Sequence, residues 1–186
     1  MDCGLGFFVV DNKEELIAVN DEAQKRGIVQ KILLRITPGI DPHTHKAIVT
    51  GSVDSKFGSA IETGQAEALV KTALTKAHIS LQGYHCHIGS QIFESEPFCD
   101  AAVIMLEFIA AMRDRFGYTA RILDLGGGYG VRYLDGDDYV DIPAAIGRVA
   151  AHMKAKCAEL GMALPKISME PGRSIVADAG MTLYTV

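Results

Sequence analysis

Three short stretches carry the residue types that chemistry needs. Gly126-Gly127-Gly128-Tyr129-Gly130 puts three adjacent glycines directly after an apolar run. Such a run lets backbone approach a ligand closely and presents several N–H groups to an anion; a tight turn without a ligand is the other use of the same residues. The dinucleotide fingerprint is not met, because its third glycine would fall on Val131, and no P-loop is present. Glu170-Pro171-Gly172-Arg173 follows another apolar run. Pro171 ends strand pairing and Gly172 permits a sharp turn. Glu170 and Arg173 can then face one ligand with opposite charges, or form a surface ion pair worth about 0.5 kcal/mol. The third stretch is His85-Cys86-His87. In extended backbone, residues i and i+2 share a face, so both imidazoles can enter one cavity while Cys86 points away. His43-Thr44-His45 repeats the spacing, and paired HxH motifs suit a hydrolytic metal site. No carboxylate is evidently placed to complete one, and His43 and His45 follow Pro42 in a loop, so these histidines are expected to pack or stack and to bind no metal.

These stretches close apolar runs that alternate with amphipathic ones. Strands are predicted over residues 7–10, 31–36, 81–87, 122–125 and 166–169. Helices are predicted from a capping-box-like Asp11/Glu14 pair to Arg26, over 61–76, from 95 to 116, and over 142–160. The second has Ala66, Leu69, Val70, Ala73 and Leu74 on one face. Strands alternating with helices predict parallel βαβ units, either an open doubly wound sheet or a closed (β/α)8 barrel. Polar and glycine-rich motifs follow strand after strand at the C-terminal end. In a barrel those ends converge on one mouth, whereas an open sheet collects them only at a switch point. The placement favours the barrel, with Leu34, Ile36 and Leu123 expected on its inward face.

The composition is that of one globular domain: 186 residues, 48% hydrophobic and 22% charged. A net charge of −5 without a Lys/Arg cluster disfavours nucleic acid or an anionic membrane as partner. No apolar run approaches the roughly 18 residues of a membrane span, and the first residues do not read as a signal peptide. Cys3, Cys86, Cys99 and Cys157 form no CxxC and read as reduced thiols of a cytoplasmic protein.

Five stretches, taken in order, resemble the diaminopimelate decarboxylase family: residues 32–45, 54–58 (Asp-Ser-Lys-Phe-Gly), 85–92 (His-Cys-His-Ile-Gly-Ser-Gln-Ile), 123–130 (Leu-Asp-Leu-Gly-Gly-Gly-Tyr-Gly) and 170–176 (Glu-Pro-Gly-Arg-Ser-Ile-Val). The resemblance implies a fold-type III, alanine racemase-like enzyme with a (β/α)8 TIM barrel and a separate β domain. It implies pyridoxal 5'-phosphate as cofactor, decarboxylation of meso-2,6-diaminopimelate to L-lysine, an amino-acid substrate and a homodimeric full-length parent. Gly126, Gly127, Gly128 and Ser90 would hold the phosphate. Glu170 would pair with the pyridine nitrogen, His87 would stack on the ring, and Arg35 would lie near the ring oxygen. Pro171 and Gly172 would belong to the cofactor-binding segment, and Arg173 would lie near the phosphate and a substrate carboxylate. His87 and Glu170 are thus the expected catalytic pair. Alanine racemase has an arginine at the pyridine nitrogen, so Glu170 points to a decarboxylase. An ornithine/arginine-class decarboxylase and a non-catalytic barrel-derived binding protein are the alternatives.

The family's cofactor-bearing lysine lies in a Lys-Ala-Asn-type motif, which this sequence does not contain; Lys56 belongs to a different motif. The chain is therefore expected to be a partial barrel domain, about the last five of eight strands, without the C-terminal β domain. By itself it is expected to be inactive and incompletely folded or self-associating.

Overall fold

A computed structural model describes residues 1–40 and 57–185. In chain order its elements are β1 (Phe8–Val10), α1 (Lys13–Lys25), β2 (Gln30–Thr37), β3 (Ser59–Ala60), α2 (Gln65–Leu74), β4 (Ile79–His85), α3 (Glu96–Phe116), β5 (Ile122–Asp124), α4 (Ile142–Glu159), β6 (Lys166–Ser168) and α5 (Gly172–Val176), followed by a 3-10 turn. All strand pairs are parallel, in the order β1-β2-β4-β5-β6, with β3 attached to the end of β2. Neighbouring helices touch in sequence, α1 with α2, α2 with α3 and α3 with α4. A doubly wound sheet reverses its strand order and carries helices on both faces. Sequential strands backed by consecutive helices are instead the winding of a barrel wall. The chain is an α/β protein built as an arc of a (β/α)8 barrel.

The helix layer determines which strand residues are core. Val10, Ile32, Leu34, Ile36, Tyr84 and Leu123 are buried in one cluster with Leu16 of α1, Leu69 of α2, Phe98 and Met105 of α3 and Val149 of α4. Each such side chain contributes about 1.5–3 kcal/mol by leaving water. This corrects the expected orientation: Leu34, Ile36 and Leu123 face the helices, not the barrel interior. Strand alternation then puts Val9, Leu33, Arg35, His85 and Asp124 on the opposite face. Pairing aligns three of these residues, Arg35 beside His85 and His85 beside Asp124, in one row across the sheet.

One irregularity sets that row. Ile32 pairs with Leu81 and Leu33 with Gly83, so Gln82 is an extra residue in β4, a β-bulge. Before it Ile79 and Leu81 pack towards the helices; after it Tyr84 and Cys86 do. A Cβ on Gly83 would lie 1.8 Å from the Ile122 carbonyl oxygen, so β4 and β5 approach here only because position 83 has no side chain.

Several element ends differ from the expected ones. The N-cap of α1 is Asn12, whose side chain accepts from Glu15 N, while the Glu15 carboxylate accepts from Asp11 N. Helix α2 begins at Gln65, and Leu74 is turned partly to solvent. Strand β4 ends at His85, so His87 stands on a loop. The short elements β3 and α5 carry too few residues to show a period. His43, His45 and Lys56 lie outside the described residues.

Candidate active site

Arg35, His85 and Asp124 stand at the C-terminal ends of β2, β4 and β5. The segments beyond complete the walls: His87 and Ser90 after β4, Gly127 and Gly128 after β5, Glu170 after β6, and Gly172 and Arg173 at the start of α5. Together with Arg35 and His85 these residues line a cleft of about 350 Å³, within the size range of small-molecule sites. A second hollow of about 310 Å³ shares Arg35, His85 and Glu170 and reaches Val9 and Asp11 at the end of β1. Of the ten expected site residues, Gly126 and Pro171 are the two outside the cleft lining. Gly126 is buried behind it, and Pro171 is the N-cap of α5.

The three glycines are needed first for the packing of one loop on another. A Cβ on Gly126 would lie 2.6 Å from the Cys86 carbonyl oxygen, one on Gly127 2.1 Å from that of Glu170, and one on Gly128 2.2 Å from that of Gly89. Hydrogen bonds join the same strands of chain: Glu170 N donates to Gly126 O at 2.8 Å and Ile92 N to Gly128 O at 3.0 Å. Tyr129 anchors the loop to α3, its ring stacked on Phe98 with centroids 4.2 Å apart. The glycine loop is thus wedged between the ends of β4 and β6, and its fixed position is what leaves its backbone facing the cleft.

The charges are arranged by sign. Arg35 is held by Asp11, with Nη1 3.6 Å from Oδ1, and its guanidinium lies 4.8 Å from the centre of the Phe57 ring. The same Asp11 oxygen accepts from Gly58 N at 3.0 Å. Arg173 donates to the Tyr133 hydroxyl at 2.7 Å. Glu170 exposes its carboxylate to the cleft, with Oε2 3.6 Å from His85 Nε2. Asp124 is buried and accepts from Gly126 N at 2.8 Å. One ligand-type atom from each of His85, Asp124 and Glu170 lies within 4.8 Å of the other two. The expectation that no carboxylate stands beside the HxH pair is therefore corrected. Burial holds both imidazoles below the usual histidine range. For His85 the carboxylates of Glu170 and Asp124 oppose that shift; for His87 the charge of Arg35 adds to it. Cys86 is fully buried on the helix side, its thiol pushed up to about 12 by desolvation, and takes no part in the cleft.

Sequence reasoning passed over Asp124 and Asp11. Asp124 had a visible signal, a lone carboxylate between two leucines of a strand, which is costly to bury unless paired. Asp11 had been assigned to helix capping, a role that belongs to Asn12. Among the described residues no lysine lines either hollow.

A one-sided parallel sheet with a polar mouth at its strand ends is the plan of a barrel enzyme's active face. The chain belongs to the family described as pyridoxal-dependent decarboxylase, pyridoxal binding domain, which it matches over residues 1–177. It is 44% identical over 186 residues to the diaminopimelate decarboxylase of Halalkalibacterium halodurans, covering 100% of this chain and 42% of that protein. It is 41% identical over 182 residues to that of Bacillus subtilis, covering 98% of this chain and 42% of the relative. Among solved structures, the diaminopimelate decarboxylase of M. jannaschii superposes with a TM-score of 0.85 at 31% identity, over 95% of this chain and 40% of the other. The Helicobacter pylori enzyme complexed with L-lysine gives 0.75 at 32% identity, over 92% and 41%. The chain thus spans about two fifths of the length of these relatives.

Proposed function

We propose that these residues form the cofactor-binding wall of an enzyme that decarboxylates meso-2,6-diaminopimelate to L-lysine. The observation that carries the reading is the Glu170 carboxylate, turned into a cleft whose other walls bear two guanidinium groups and a glycine loop. That charge pattern fits a phosphorylated pyridine. Ser90 and the backbone of Gly126–Gly128 would hold the phosphate, with Arg173 beside it balancing its charge. Pro171 and Gly172 set the turn that brings Arg173 there. Arg35 would face the ring oxygen and His87 would cover one face of the ring. Bound pyridoxal phosphate supplies an electron sink for the carbanion left when CO2 departs. Glu170 serves that sink by keeping a proton on the pyridine nitrogen, since a neighbouring carboxylate favours the charged form. Among the described residues, no lysine that could carry the cofactor lines this cleft. The product-like ligand of the Helicobacter pylori relative, L-lysine, supports the choice of substrate.

The test is release of L-lysine and CO2 from meso-diaminopimelate by the intact gene product. Glu170→Gln should keep much of the cofactor binding and raise the barrier to decarboxylation by about 2–4 kcal/mol. Unchanged turnover would remove Glu170 from the mechanism, and turnover of ornithine or arginine instead would move the protein to that class.

A further inference from the structure

We infer that His85 is a positioning residue for Glu170, linking it to the buried Asp124 at the base of the glycine loop. This rests on the reading of Glu170 given above and goes beyond it by assigning what holds that carboxylate in place. Glu170 is the exposed member, with about half of its side chain open to solvent, past the end of β6. His85 is the fixed member, 5% exposed at the last residue of β4, and Asp124, 2% exposed, stands beside it in the neighbouring strand. His85 Nε2 points to Glu170 Oε2 at 3.6 Å, whereas Nδ1 is buried without a hydrogen-bond partner. Nε2 is the ring nitrogen that faces a carboxylate, just beyond hydrogen-bond length, and hydrogen on Nε2 would let the two draw together. Groups of both signs face the ring: Glu170 and Asp124 attract its proton, while Arg35 and burial disfavour a second one. A neutral imidazole lies against the carboxylate without bringing a charge to cancel it. Asp124 is in turn fixed by the Gly126 N–H. Adjacent side chains thus run from the loop that would hold the phosphate to the group that would face the ring nitrogen, with His85 and Asp124 paired across β4 and β5.

The experiment uses the intact gene product and reads cofactor affinity and the pH dependence of the bound cofactor's absorbance, not turnover. His85→Leu removes the donor and should weaken pyridoxal phosphate binding by no more than Glu170→Gln does. It should also move the spectral titration to lower pH, because the pyridinium loses a well-placed carboxylate. His85→Gln keeps an N–H and should restore both readouts to near the wild-type values. In a Glu170→Gln background the His85→Leu effect should vanish, because a residue acting through Glu170 has nothing left to act on. If the leucine variant cannot be recovered folded, His85→Asn makes the same comparison, since its shorter amide stays polar but does not span the gap. An effect of equal size in both backgrounds, or a spectral titration unmoved by loss of the imidazole, overturns the inference while leaving the cofactor site standing. Failure of the wild-type protein to take up cofactor overturns both.

Discussion

A buried imidazole, His85, beside the more exposed ring of His87 makes the mouth sensitive to acid. Burial lowers the proton affinity of His85 and His87 in the folded chain below the unfolded value of about 6.5. The unfolded state then binds more protons in this window, so their contribution is complete above about pH 6.5 and is lost as pH falls towards the folded values. Thermal melts at pH 7.5 and 5.5 should therefore show a smaller acid-induced loss for His85→Gln than for the wild type; equal losses would mean that this ring is not a source of the pH dependence. The glycines give a second contrast at the same scale. Gly127→Ala would drive a methyl group onto the Glu170 carbonyl, whereas the same change at Gly172 meets open space. The first should cost about 2 kcal/mol and cofactor affinity as well, the second far less. Denaturant titration of both variants, with comparable losses, would contradict the wedged loop.

Individual elements were legible to different degrees, for physical reasons. Helix α3 was readable almost to the residue because Ser95, Pro97 and Gly117 mark its ends and ten of its residues are buried at helical spacing. The strands β5 and β6 are only three residues long, and apolar runs named them correctly to within one residue. Which side of each strand faces the helices was not legible, because in a barrel both faces are covered and the runs carry no clean alternation. The start of α1 was read one residue early, since Asp11 and Asn12 are both good caps and only the fold shows that Asp11 is occupied by Arg35 and Gly58. Asn12→Ala should thus cost about 1 kcal/mol with cofactor binding unchanged. Asp11→Ala should instead weaken cofactor binding by freeing Arg35. Equal cofactor affinity in the two variants would remove Asp11 from the site. The mouth itself was the most legible part, with eight of the ten expected residues brought to one cleft.

On the scale of the whole molecule, β1 and β6 close the two ends of the strand order and, among the described residues, each has a partner on one side only. Unpaired strand edges recruit other chains, and Ile175, Leu183 and Tyr184 add exposed apolar surface beyond β6. The 186-residue chain expressed alone should sediment as concentration-dependent assemblies and should not turn over diaminopimelate; a monodisperse monomer with activity would overturn this. The bulge at Gln82 bears on the same whole in genetic terms. Loss of that one codon, in frame, would remove the bulge and make Ile32–Leu81 and Leu33–Gly83 consecutive pairs, leaving Tyr84 towards the helices and His85 towards the mouth. One further codon inserted at the same point would be the damaging allele, because it turns the rest of β4 over and sends the His85 imidazole among the helices.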